Sequence, residues 1–170
     1  EVEKKRSNYD LQVDRAKKIF MEYDQDLLIR KFQLPVDEQW IFMEYLNTPY
    51  RINRRDGRIE ENLKGCGFSE CRSYDTVMTI YDLLCYSKGE DVPVLFQKWH
   101  TINSLSVGRS PEAGDFTKAY AKVFQKHKKE LKTVCESLGG VVQTPMARAD
   151  LTCLIPVTSF FPVILQFWEG

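Results

Sequence analysis

His100, His127 and the five cysteines are the scarce chemistry-bearing side chains of this 170-residue sequence. An imidazole titrates near neutral pH and moves protons when a carboxylate or nucleophile lies within hydrogen-bond reach. His100 follows Trp99 in an irregular stretch, and Asp150 or Glu169 would be its partner in a small enzyme. No nucleophile elbow surrounds it. His127 falls on an apolar helical stripe and reads as a core histidine. Cys66 and Cys71 form a C-x4-C pair in a glycine-containing loop, too few ligands for zinc or an iron–sulfur cluster. A plant-type ferredoxin site would also need a cysteine at position 74, which is Tyr74. Cys85, Cys135 and Cys153 have apolar neighbours and read as core thiols. No metal and no cofactor is expected.

Binding residues are easier to nominate than catalytic ones. Tyr50 and Arg51 precede an arginine-rich turn with Arg54, Arg55 and Arg58. Trp99, His100, Asp150, Trp168 and Glu169 lie at loop or strand-end positions, where ligand contacts concentrate. Lys118, Lys122, Lys126, Lys129 and Lys132 recur at helical spacing and read as a solvated helix face. There is no Walker loop and no G-x-G-x-x-G, and Gly139-Gly140 follows a helix rather than opening one.

Those residues need elements to hold them. Ser7 with Asp10 forms a capping box, and Tyr9, Val13, Ala16, Phe20, Tyr23, Leu27 and Phe32 make an apolar helical face to Pro35. Asp24 or Asp26 is where a second helix would start. From Gln39 the period becomes that of a strand, with Asn47-Thr48-Pro49 a turn and Asp56-Gly57 a tight hairpin. Gly65-Cys66-Gly67 is loop, and Ser73 caps a helix that stops before Gly89. A short extended piece is expected at 95–99. One long helix is expected from Ser110-Pro111-Glu112 to Leu138, with Phe116, Tyr120, Val123, His127, Leu131, Val134 and Leu138 buried and Gly139 as its stop. The uncharged run Leu151 to Trp168 is broken by Pro156 and Pro162, and reads as two core strands rather than a membrane span. Irregular alternation of these elements gives an α+β fold, an antiparallel sheet covered by helices on one face, in a single domain spanning 1–170.

Lys plus Arg equals Asp plus Glu at 24 each, so no global field draws the chain to nucleic acid or an anionic membrane. An odd cysteine count without framework spacing fits a reducing, cytoplasmic setting.

Three stretches carry a resemblance: Tyr45-Leu46-Asn47-Thr48-Pro49-Tyr50-Arg51-Ile52 before Asp56-Gly57, then Gly139-Gly140, then Ala149-Asp150 leading to Phe167-Trp168-Glu169-Gly170. Their order and spacing are similar to the family known as domain of unknown function 3786. The resemblance implies a protein of anaerobic bacteria and archaea without established activity. It also implies a role near corrinoid or one-carbon metabolism, because some relatives carry an N-terminal iron–sulfur segment. No cysteine precedes Cys66 here, so that cluster is not carried over. In relatives further acidic residues follow the Trp-Glu-Gly stretch, so the natural C-terminal end is expected to be missing. The expectation is a binding or accessory module for a small anionic or corrinoid-like ligand or a partner protein. A His100 enzyme and a self-associating interaction domain are the alternatives.

Overall fold

The computed structural model describes residues 7–86, 98–105 and 113–170. The expected stop at Gly89, residues 95–97 of the expected extended piece and the helix start at 110–112 lie outside these residues. The chain divides into two compact units. The first comprises 1–95 with 158–160, and the second 96–157 with 161–170.

In the first unit α1 (Asn8–Glu22) opens on the capping box, with the Ser7 hydroxyl accepting from the Asp10 N–H and the Asp10 side chain accepting from the Ser7 N–H. Asp24 then caps α2 (Gln25–Phe32) by accepting from the Leu27 N–H. The break shifts the helical phase. Ala16, Phe20, Leu28 and Phe32 are buried, whereas Tyr9, Tyr23 and Leu27 are exposed, contrary to the single stripe expected.

The strands β1 (Trp40–Tyr45), β2 (Thr48–Asn53), β3 (Ile59–Glu61) and β4 (Ser69–Glu70) form an antiparallel sheet in that order. The β1–β2 turn is tighter than expected. Leu46 and Asn47 both take positive φ (49° and 60°), and Thr48 already pairs with Tyr45. The Asp56-Gly57 hairpin is wider, because the Asn53 side chain accepts from the Arg55 and Asp56 N–H groups and builds a longer loop. Gly57, at φ 73°, lets α1 approach, since a Cβ there would sit 3.1 Å from Lys17 Cγ.

A 3-10 turn (Leu63–Gly65) precedes β4, and α3 (Tyr74–Cys85) follows it with Ser73 as N-cap. Strand alternation puts Ile41, Met43, Tyr50, Ile52 and Ile59 in one core with Phe20, Leu28, Phe32, Val77, Ile80, Tyr81 and Leu84. Each such side chain gains about 1.5–3 kcal/mol on burial. The buried Tyr81 hydroxyl donates to the Gly57 carbonyl at 2.6 Å and ties α3 to the loop.

The second unit holds α4 (Ile102–Leu105), α5 (Ala113–Phe124), α6 (Lys128–Ser137) and a second sheet of β5 (Val141–Val142), β6 (Leu151–Thr158) and β7 (Phe161–Phe167). The single long helix is corrected to α5 and α6. Lys126 adopts φ 66° and His127 becomes the α6 N-cap. No side chain of residues 117–130 is buried, so packing does not enforce a continuous rod. His127 is accordingly exposed rather than a core residue, Tyr120, Val123 and Val134 are exposed too, and the five lysines do not share one helix face. Leu131 and Cys135 anchor α6, and Gly139 at φ 78° ends it. The uncharged run forms two strands, but only β6 is a core strand, since Phe167 alone is buried in β7 while Phe161 and Val163 are exposed. The fold class is α+β, with two antiparallel sheets where one was expected.

Candidate functional site

Tyr50 and Arg51 are neighbours on β2 and therefore face opposite sides of the sheet. Tyr50 is a core residue whose hydroxyl donates to Glu61 Oε2 at 3.3 Å, and burial raises its phenol above the usual value. Arg51 faces away from that core. Its guanidinium carbon lies 4.0 Å from the Trp40 ring centroid and 4.3 Å from that of Phe68. Glu60, its cross-strand partner, accepts from Arg51 Nε at 2.8 Å and forms ion pairs with Arg51 Nη2 at 2.6 Å and Arg58 Nε at 3.3 Å. Stacked and paired in this way, Arg51 has little charge left for an anion. Arg58 is the more exposed cation of the pair.

A groove of about 420 Å³ opens elsewhere in the first unit, between the start of α1 and the β4–α3 connection. Val13, Cys71 and Val77 supply its apolar lining. Tyr9 and Tyr74 meet edge to face, with centroids 4.8 Å apart. Asp10, Asp14 and Glu70 give carboxylates, and Arg72 a cation. Burial pushes the Cys71 thiol up to about 11, so at neutral pH it is an apolar surface and not a nucleophile. Burial likewise pushes Cys85 up to about 12 and raises Cys135, whose thiol also faces that of Cys153. Cys85, Cys135 and Cys153 are buried, as expected of core thiols, while Cys66 is exposed.

In the second unit the strand ends bring three nominated residues together. The Asp150 N–H donates to the Phe167 carbonyl, and Asp150 Oδ2 accepts from the Glu169 N–H at 2.8 Å. Glu169 Oε2 lies 3.9 Å from Lys128 Nζ. The Trp168 indole donates to the Ala147 carbonyl at 3.3 Å and leaves half of its surface exposed. Trp99 and His100 lie exposed outside any helix or strand. Among the described residues no group of three or more His, Cys, Asp or Glu side chains is placed to hold a metal ion, and no helix is long and apolar enough to cross a membrane.

The model of a family described as domain of unknown function matches residues 24–170. This chain belongs to that family. The match spans both units and begins at the cap of α2, so the α1 wall of the groove lies outside it. No curated protein and no solved structure matches.

The groove residues were not nominated from sequence. In sequence Tyr9 and Val13 belong to an apolar helical stripe, and Tyr74 stands where a cluster would need cysteine. The usable signal was the pair of serine-capped helix starts, each followed at once by aromatic and acidic residues.

Proposed function

We propose that this chain is a non-catalytic binding module whose ligand enters the groove between α1 and the β4–α3 connection. The observation that carries the reading is a 420 Å³ recess with an apolar lining, a tyrosine pair and Asp10, Asp14, Glu70 at its walls. Pockets of this size that offer apolar surface and a few fixed polar groups suit a small molecule or a short segment of a partner. Asp10, Asp14 and Glu70 outnumber Arg72 at the walls, with the Asp10 carboxylate already engaged by Ser7, and this balance beside tyrosine rings favours a cationic group over the anion suggested by the arginine-rich turn. Burial raises the Cys71 thiol, so that side chain serves the groove as apolar lining and not as a nucleophile.

A second reading keeps the corrinoid-like ligand and the link to one-carbon metabolism of anaerobes. It is favoured by Trp168, pinned through its indole N–H and half exposed, which is a ready stacking platform for a flat ligand. An enzyme built on His100 with Asp150 or Glu169 is the weaker alternative, because Asp150 already serves the Glu169 N–H and Glu169 pairs with Lys128. Five unpaired thiols support a reducing, cytoplasmic setting.

Calorimetric titration with alkylamines, basic peptides, nucleotides and cobamides tests both readings. Binding of a cationic probe, weakened about tenfold or more by Asp14→Asn or Tyr74→Ala, supports the groove. Cobamide binding lost in Trp168→Ala supports the second reading. No heat with any probe overturns both.

A further inference from the structure

We infer that Cys135 and Cys153 are a paired dithiol that peroxide closes to a disulfide, stapling α6 to β6. The groove plays no part in this. Both side chains are buried within the second unit, on different elements eighteen positions apart. Gly140 lets them approach. A Cβ on that glycine would sit 2.5 Å from the Cys135 carbonyl oxygen and 2.8 Å from Cys153 Sγ, so both cysteines crowd one point that only glycine leaves open. The Gly140 N–H donates to the same Cys135 carbonyl at 2.8 Å and fixes the turn. The Cys135 side chain lies in hydrogen-bond contact with that of Cys153. The ionisable neighbours of Cys71 and Cys85 are instead carboxylates, Glu61 and Asp82.

The oxidant must be small and uncharged to reach thiols so placed, and hydrogen peroxide is both. Their cover is thin on one side, because β5, which pairs with β6 at Cys153, is two residues long and both are exposed. One Sγ, as thiolate, attacks the peroxide O–O bond, giving a sulfenic acid and one water after protonation. The other Sγ attacks that sulfenic sulfur, the S–S bond forms and a second water leaves. Two thiols thus lose two protons and two electrons, and peroxide is reduced to two waters. Burial favours the protonated Cys135 thiol, so closure is slow. The bond matters for α6 because Leu131 and Cys135 are that helix's buried side chains. A link at Cys135 fixes a helix that two side chains otherwise hold.

The test treats the full chain with hydrogen peroxide, alkylates the remaining thiols in denaturant and maps the peptides by mass spectrometry. A Cys135–Cys153 linked pair, lighter by two hydrogens and released by dithiothreitol, is expected. Cys71 and Cys85 should stay alkylatable. Trypsin cleavage at Lys132, exposed on α6, should slow about tenfold or more after oxidation, since the helix must open to be cut. Cys153→Ala should abolish that slowing, and Cys153→Ser serves where the alanine variant does not fold. The wild-type map stands without either. Recovery of Cys135 and Cys153 as free thiols, or as separate oxidised acids, overturns the proposal. So does a link that leaves cleavage unchanged, or slowing that persists without Cys153.

Discussion

Arg51 and Glu60 stand directly opposite each other on β2 and β3, and their side chains meet through paired contacts at 2.6 and 2.8 Å beneath the Trp40 and Phe68 rings. Glu60 is the more deeply buried partner and also engages Arg58. A carboxylate so far from water depends on its cations.

Removing Arg51 should therefore be felt throughout the first unit. Arg51→Ala is expected to lower unfolding free energy by about 2 kcal/mol, less than a fully buried pair because Arg58 stays in place. Arg51→Lys should recover only part of this, since an ammonium lacks the planar fork that stacks and pairs at once. Urea unfolding followed by tryptophan fluorescence measures both. Equal stability of all three proteins would show the stack to be incidental.

Gly140 predicts a graded effect. A Cβ there would lie 2.5 Å from the Cys135 carbonyl and 2.8 Å from Cys153 Sγ. Gly140→Ala should cost about 2–3 kcal/mol, because backbone cannot move aside cheaply. Gly65→Ala meets nothing within 4 Å and pays only for φ 73°, so about 1 kcal/mol is expected. Thermal melts of the two variants should separate clearly, with Gly140→Ala the lower.

Tyr81→Phe tests the tie between α3 and the β2–β3 loop. The phenol donates to the Gly57 carbonyl from a buried position, so its loss leaves an acceptor unsatisfied. A destabilisation of about 1–2 kcal/mol is expected in denaturant titration. A neutral result would mean that water takes the place of the hydroxyl.

Alkaline pH should loosen the fold through its thiols. Cys71 and Cys85 are pushed from the ordinary 9.0 to about 11 and about 12, so the folded chain holds their protons more tightly than the unfolded chain. Their contribution is fully present below pH 9 and is lost as pH rises towards 11–12. Melting temperature should fall over that window, and less steeply in Cys85→Ala relative to its own value at pH 8. A flat profile would remove burial as the cause.

Thiol labelling gives a further check. Cys66 is exposed and the other four cysteines are buried. A disulfide reagent at neutral pH should modify Cys66 quickly and the rest only on unfolding. Mass mapping of early adducts at any other position would contradict the packing of these side chains.

Much of the scaffold was readable because its signals are local. The Ser7 box, the Ser73 cap, the alternation from Trp40 to Tyr45 and the uncharged pair of strands each follow from neighbours a few residues apart. The long lysine-bearing helix is not legible in the same way, for the opposite reason. Its apolar spacing is helical throughout, but continuity needs a surface to pack against, and residues 117–130 have none that buries them. Tyr50 and Arg51 illustrate the limit at the candidate sites. Adjacency in sequence suggested shared work, whereas strand geometry sends one inward and the other out. The groove was missed because its walls come from residues some sixty positions apart, a distance that no periodicity spans.

The family match begins at Asp24, yet Phe20 on α1 is wholly enclosed and its ring lies 5.8 Å from that of Tyr81. Kinship and mechanical integrity thus have different frontiers in this molecule. A fragment trimmed to the shared stretch would open a hollow where that phenylalanine sits and would take away the Tyr9 and Val13 wall of the groove.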